Sequence, residues 1–224
     1  MKSYGLDNQE YFYELTTQEE AALKHFFVQE KLNEKQAGQF RTYLIELIIW
    51  NKKFNITALD TVSDIIAYHF QDSLKVRDFI PLQNSRGIAD VGSGGGFPGL
   101  PLAILFPDLP VVLIEVNTKK IEFLEHIKVL LELHNVTVSP FDWRTFLRKT
   151  EYPIDFFCAR ASLDPEELVR IFKPGCFYNY AQLIYWASSG WHGGEPEKPF
   201  LKTEIPYKIG ERSRKFVVFS AKNH

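Results

Sequence analysis

Cysteine is nearly absent: Cys158 and Cys176 are the only two in 224 residues. That count leaves no disulfide framework, and their spacing leaves no CxxC metal knuckle. Long apolar runs are missing too, and none approaches the ~20 residues that cross a bilayer. Residues 1–7 lack the apolar core of a signal peptide. A cytoplasmic protein with reduced thiols, no bound metal and no membrane partner is therefore expected. Charge of one sign is also lacking, since the formal net charge is −2, so the whole chain gives no argument for polyanion binding. The charge is uneven, however. Residues 1–34 carry seven acidic groups against three basic ones, and residues 198–224 carry seven basic against two acidic. A basic end can track phosphates, although most such runs are solvated faces. With 45% hydrophobic and 24% charged residues, the chain can bury an ordinary globular core.

Glycine is concentrated in one place. Residues 90–99 read Asp-Val-Gly-Ser-Gly-Gly-Gly-Phe-Pro-Gly, after the apolar pair Ile88-Ala89 and before Leu100-Pro101-Leu102-Ala103. The pattern is strand, turn, helix. Residues without Cβ let the backbone turn sharply near a ligand, and the next helix offers N–H groups without intrahelical partners. Pro98 and Pro101 suit a first helical turn, where a missing N–H costs nothing. Two registers fit a nucleotide-type cofactor. Gly94-x-Gly96-x-x-Gly99 is a dinucleotide fingerprint, yet Asp90 through Ser93 separate its first glycine from the strand. The second register starts at Asp90, with Gly92, Gly94 and Gly96 at alternate positions. It resembles motif I of S-adenosyl-L-methionine-dependent methyltransferases. In that frame Asp90 helps place the cofactor's cationic amine, directly or through water, or supports the loop. Glu115 closes the next apolar run, 23 residues after Gly92. A carboxylate there can accept both ribose hydroxyls, in NAD and AdoMet enzymes alike.

The first ~80 residues read as helical. Thr17-Gln18-Glu19-Glu20 has capping-box spacing and opens a segment through Phe26, Phe27 and Leu32. Phe40, Tyr43, Leu44, Leu47 and Ile48 recur at helical spacing, and a third stripe joins Ile65, Ile66, Phe70, Leu74 and Phe79. After Pro81 short apolar runs alternate with helices. Strands are predicted over 87–91, 111–115, 136–139, 154–158 and 177–185, with helices over 98–106, 118–133, 143–149 and 165–172. Two last strands, 203–208 and 215–221, form an antiparallel hairpin. The expected architecture is α/β: an N-terminal helical extension over residues 1–80, then a Rossmann-like domain over 81–224 with a mostly parallel seven-stranded sheet. The loop 190–196 reads as exposed, and no internal repeat is present.

A specific resemblance rests on several strings in order: Trp50-Asn51-Lys52-Lys53-Phe54-Asn55-Ile56-Thr57, His69-Phe70-Gln71-Asp72-Ser73 and Asp90 through Ala103. Glu115, Lys119-Lys120, Phe123-Leu124, Asn135-Val136, Asp155 and Arg160-Ala161 follow. The chain resembles the RsmG family, also called GidB, the bacterial small-subunit rRNA methyltransferases. The match is strongest over residues 50–161, with Arg212, Arg214 and Lys222 echoing the family's last strand. The resemblance implies a class I AdoMet-dependent methyltransferase fold, S-adenosyl-L-methionine as cofactor, and methyl transfer to N7 of a guanosine in the 530 loop of 16S rRNA. It also implies that Gly92 and Phe97 contact the cofactor, that Arg160 lies on its cofactor or RNA side, and that Trp143 and Arg144 border the adenine. Two departures stand out. The resemblance implies arginine then glutamate where this chain reads Asp142-Trp143-Arg144, and Lys-Gly where it reads Trp186-Ala187-Ser188-Ser189-Gly190.

Guanine N7 is an exposed ring lone pair, so its methylation releases no proton and needs no acid–base catalyst. Positioning and exclusion of water are what remain. Arg160 is the candidate for placing substrate, by gripping phosphate or stacking on a base, with an ion pair to a neighbouring carboxylate as the alternative. His69 reads as a packing histidine, and Asn55 and Asp72 as ties between the helical extension and the sheet. Lys119, Lys120, Arg212 and Arg214 are the candidate RNA contacts, and Phe97, Trp143, Trp186 and Trp191 candidate stacking surfaces. The partner implied is 16S rRNA or the small ribosomal subunit, approached by a monomer, with a flipped or single-stranded guanine as target. Two other classes share these features. One is an NAD(P)-dependent oxidoreductase built on the same glycines and Glu115. The other is a non-catalytic or altered-specificity AdoMet-binding relative that associates with RNA or ribosomes.

Overall fold

A computed structural model describes residues 12–221. Met1 through the acidic groups before residue 12, and Lys222 of the basic end, lie outside the described residues. Seven strands form one sheet in the order β3-β2-β1-β4-β5-β7-β6. β1 (Ile88–Val91), β2 (Val111–Ile114), β3 (Val136–Ser139), β4 (Phe156–Arg160) and β5 (Gln182–Ser188) are parallel. β6 (Leu201–Ile209) and β7 (Arg212–Ser220) form the antiparallel hairpin, turning through Gly210 at φ +53°, with β7 inserted between β5 and β6. This is the expected mostly parallel seven-stranded sheet with a C-terminal antiparallel hairpin. The central strands are buried on both faces, as a sheet covered by helices requires.

Helices α1 (Thr17–Gln29) and α2 (Glu34–Phe54) precede the sheet. The capping box of α1 sits one residue earlier than its sequence suggests: Thr16 caps, and Glu19 returns to the Thr16 N–H at 2.8 Å. The third stripe is not one helix. It divides into α3 (Val62–Ile65), a π-helical segment Ile66–Gln71, α4 (Asp72–Leu74) and a 3₁₀ turn Lys75–Asp78. Its last expected member, Phe79, lies past the helical end and is 42% exposed. The π turn widens the spiral, and Phe70, Asp72 and Ser73 are all buried.

Four strands differ from expectation: β6 and β7 start two and three residues before 203 and 215, lengthening the hairpin. β4 runs two residues later than 154–158, so Arg160 ends the strand instead of following it. β5 begins at Gln182, not 177, because residues 176–181 turn: Asn179 N–H bonds Cys176 C=O at 3.2 Å and Ala181 N–H bonds Tyr178 C=O at 2.9 Å. The remaining helices are α5 (Gly99–Leu105), α6 (Thr118–Leu130), α7 (Trp143–Lys149) and α8 (Pro165–Leu168), the last continuing as a 3₁₀ turn Val169–Phe172. Asn117 caps α6 as its sequence suggests, accepting from Lys119 and Lys120 N–H.

One core unites the helices before the sheet with one sheet face. Phe26, Phe40, Phe70, Tyr43 and Phe97 form a run of ring contacts 5.0–5.5 Å apart from α1 to the glycine turn. Asp72 provides the polar counterpart. Fully buried, its carboxylate accepts from Arg160 Nη1 (3.2 Å), Arg214 Nη1 (2.9 Å) and the Tyr207 hydroxyl (2.8 Å). Its backbone carbonyl accepts from Trp186 Nε1 at 3.1 Å. Asp72 thus ties the helices to β4, β5, β6 and β7, as expected. Asn55 does something else: it ends α2 in the left-handed region at φ 50°, while Asn51 accepts from Thr57 N–H at 2.8 Å. Removing one partner of a buried ion pair leaves the others uncompensated. Asp72→Ala should destabilise the fold by about 3–5 kcal/mol, read from urea unfolding monitored by circular dichroism.

Candidate active site

The first strand ends on a turn that only glycine can make. Gly92, Gly94 and Gly96 have φ of +69°, +59° and +96°. A Cβ on Gly92 would lie 2.5 Å from Ser162 Cβ, and one on Gly96 would lie 2.3 Å from Leu100 Cδ1. The loop is held from behind by Tyr43, whose hydroxyl donates to Gly95 C=O. In front, Glu115 follows β2 directly and is 8% exposed. Its carboxylate accepts three backbone N–H bonds, from Gly94 (2.8 Å) on Oε2 and from Val116 and Asn117 (both 2.9 Å) on Oε1. A carboxylate has about four lone-pair sites, so Oε2 keeps one for a sugar hydroxyl. A bidentate grip on a diol needs the Gly94 bond released.

A cleft of about 300 Å³ opens over the carboxyl ends of β1 and β2, where open α/β sheets take ligands. Gly92, Glu115, Lys120, Trp143 and Ser162 are among its walls. The Ser162 hydroxyl is buried without a partner, a polar atom that a ligand would satisfy. Ala161, the residue before it on the wall, is held in the left-handed region at φ 52°, a strained conformation of the kind that collects at ligand sites. Together, the unpaired hydroxyl, the glycine turn and the acceptor at the end of β2 fit a nucleoside with a diol and a polar tail. Sequence reasoning stopped at Arg160-Ala161 and missed Ser162; the signal for it was adjacency to that pair.

Several predicted residues stand behind the cleft instead of in it. Asp90 is fully buried and accepts from Gly99 N–H at 2.9 Å, fixing the start of α5. Its other oxygen has no partner. It therefore supports the loop and does not face a cofactor amine. Burial pushes its carboxyl up to about 7, against the opposing Gly99 bond and Arg160 charge. Phe97, 4% exposed, stacks on His69 at 4.2 Å and on Tyr43 at 5.5 Å. Arg160 turns away from the cleft into the Asp72 cluster, donating to Tyr68 C=O (2.8 Å), Asp72 and His69 Nδ1 (2.9 Å). A guanidinium only donates, so His69 Nδ1 carries no proton and Nε2–H faces Thr57 Oγ1 at 2.6 Å. Burial first, then Arg160, bring its pKa down to about 3. His69 is a neutral packing group, as its sequence context suggested.

The outer candidates also separate. Trp143 is on the cleft wall, its Nε1 bonded to Glu167 C=O at 3.0 Å. Arg144 points outward and clasps the Glu167 carboxylate at 2.7 and 2.8 Å. Lys119 pairs with Glu122 at 2.9 Å. Arg214 belongs to the Asp72 cluster, and exposed Arg212 lies 3.7 Å over the Tyr68 ring. Of the candidate stacking surfaces, Phe97, Trp143 and Trp186 are buried, and Trp191 is half-buried against Tyr185. Trp186 fills the core edge-on to Phe216 at 5.0 Å.

Residues 36–185 match the GidB family model, described as rRNA small subunit methyltransferase G. The chain belongs to this family. Among curated relatives, "Ribosomal RNA small subunit methyltransferase G" of Chloroflexus aggregans is 49% identical over 108 residues, covering 48% of this chain and 44% of that protein. The protein of the same name from Ectopseudomonas mendocina is 40% identical over 131 residues, covering 58% of this chain and 60% of that protein. The chain spans about half the length of the curated relatives it matches first, 44–51%. Among solved structures, a mutant of MtNAS in complex with S-adenosylmethionine superposes with a TM-score of 0.57 at 14% identity, covering 91% of this chain and 88% of that one. That likeness is one of fold. Among the described residues, no group of three or more His, Cys, Asp or Glu side chains could hold a metal ion, and no helix is long and apolar enough to cross a membrane.

Asp90 and His69 give opposite pH signs. Asp90, raised from 3.8 to about 7, adds stability below pH ~4 that is lost as pH rises through 7. His69, lowered from 6.5 to about 3, adds stability above pH ~6.5 that is lost as pH falls toward 3. The stability of Asp90→Asn relative to the unaltered protein should therefore climb between pH 4 and 7, with a limiting slope of about 1.4 kcal/mol per pH unit, and level off above. Urea unfolding across that pH range measures it.

Proposed function

We propose that the chain is an S-adenosyl-L-methionine-dependent methyltransferase of small-subunit rRNA, acting on N7 of a guanosine in the 530 loop of 16S rRNA. The observation that carries this reading is the juxtaposition of the Gly92–Gly94 turn, Glu115 and the unpaired Ser162 hydroxyl around one cleft, in a chain of the rRNA small subunit methyltransferase G family. The names of the relatives support the substrate, and S-adenosylmethionine in the MtNAS complex supports the cofactor. The protein would work in the cytoplasm as a monomer, with residues 1–80 as a helical extension of the 81–224 catalytic domain.

In this reading Glu115 holds the ribose through Oε2, Gly92 and Gly94 admit the cofactor close to the backbone, and Trp143 and Val116 flank the base. Ser162 bonds a polar group of the ligand. Asp90, Gly96, Phe97 and Arg160 set the loop from behind. Bound AdoMet supplies an electrophilic methyl group. The guanine N7 lone pair has no proton to lose, so the chain needs to position the base and exclude water, not to take a proton. The neutral, enclosed His69 and the buried Arg160 are consistent with that division of labour. Lys120 on the cleft wall, with Lys119, Arg144 and Arg212 outside it, adds positive potential where RNA would arrive. Arg214 contributes by holding the hairpin in place.

Calorimetric titration should show S-adenosylhomocysteine binding and no NAD(P) binding; the reverse would favour the oxidoreductase reading. Glu115→Ala should weaken S-adenosylhomocysteine by about 1–3 kcal/mol. Labelled methyl transfer to 30S subunits and to free 16S rRNA tests the activity. Arg160→Ala should cost several-fold in turnover together with about 3 kcal/mol of stability, because it leaves Asp72 short of a partner. Inactivity of the unaltered protein on both substrates, with intact cofactor binding, would favour the non-catalytic relative.

A further inference from the structure

A second groove carries charge that the cleft does not use. It encloses about 500 Å³ between α7 and residues 170–177, and its walls hold Arg144, Arg148, Arg170 and Lys173 against one carboxylate, Glu151. Glu167 behind the wall occupies two of those cations, clasping Arg144 and accepting from Arg170 Nε at 2.8 Å. Arg148 and Lys173 are exposed and, among the described residues, have no carboxylate within ion-pair distance. Phe177 also lines the groove. It is 44% exposed and is held edge-to-face against Tyr178 at 5.1 Å and Tyr180 at 6.1 Å. Such a ring, exposed yet braced by neighbours, differs from the expected stacking surfaces, of which three are buried.

Cations that follow a backbone, joined to an aromatic platform, are what single-stranded nucleic acid requires. An acidic protein segment would use the cations but has no need of the ring. Location favours the same ligand. Trp143 stands on the cleft wall, Arg144 follows it into the groove, and Arg148 lies one helical turn on, ~6 Å at 1.5 Å per residue. The groove therefore leads away from the cleft along α7.

We propose that this groove binds single-stranded RNA flanking the target nucleotide, with phosphates on Arg148 and Lys173 and a base on Phe177. The proposal rests on the rRNA methyltransferase reading and assigns contacts different from Lys119, Lys120, Arg212 and Arg214. Fluorescence anisotropy of the full chain with labelled oligoadenylate, over a salt series, tests it. S-adenosylhomocysteine binding of each variant is measured alongside as the control for folding. Arg148→Gln combined with Lys173→Gln should weaken binding about tenfold or more and lower the slope of log K against log salt by about 1.4, the value for two lost phosphate contacts at ~0.7 each. Phe177→Ala should weaken binding at least about fivefold and leave that slope unchanged. Wild-type RNA affinity in either variant, with methyl transfer intact, overturns the groove and spares the methyltransferase reading. Weakened RNA binding with no methyl transfer by the unaltered protein supports the groove and sinks that reading instead. Polyglutamate that displaces the RNA and is insensitive to Phe177→Ala would overturn the proposal in favour of an acidic protein ligand.

Discussion

A single buried carboxylate holds this architecture together. Asp72 receives two guanidinium groups and a phenol from three different strands, and its peptide carbonyl receives the indole of a fourth. Two arginines could not enter the core without it, because an unpaired buried charge costs several kcal/mol. The cluster still holds one cation more than its own carboxylates offset. The excess is felt at its neighbours: it adds to the burial that keeps His69 neutral and partly opposes the desolvation of Asp90. The same group thus fixes where the hairpin sits and sets the charge behind the glycine turn.

The two acids of the nucleotide motif divide the loop between them. Asp90 works from inside, meeting a helical N–H that has no intrahelical partner, while Glu115 works from the cleft side and meets three N–H groups of the loops. The turn between them has one side chain, the buried Ser93, whose hydroxyl donates to Asp90 C=O at 3.0 Å, and its shape depends on this bond together with those of the two acids and Tyr43. That makes α2 part of the site's scaffold, although it touches no wall of the cleft.

The parts of the fold that were legible in sequence are those set by local spacing. The glycine turn, the acid at the end of β2, the Asn117 cap and the apolar stripes of α1 and α2 depend on neighbours within a few residues. What was illegible depends on long-range partners. Arg160 reads first as a substrate residue and only second as an ion pair, and the position of Asp72, 88 residues away, decides for the ion pair. Asp90 reads both as a ligand group and as a support of the loop until its bond to Gly99 is seen. The apolar run from Phe177 resembles a strand, but Asn179 and the bonds around it make a turn, and its ring ends outside. The π segment is invisible to a 3.6-residue template, and so is the position of Phe79 beyond it.

The outer boundaries of the sheet have a bearing on solubility. An unpaired strand flank is a template for foreign strands. Here one flank, β3, is only four residues long. The other, β6, is broken by an irregularity between Leu201 and Thr203, carries Pro206 and bears the charged side chains of Lys202, Glu204 and Lys208. Neither offers a long flat ladder, so the buried, strongly apolar centre is shielded from intermolecular β-addition, and crowding of nascent copies would not readily propagate into fibrils.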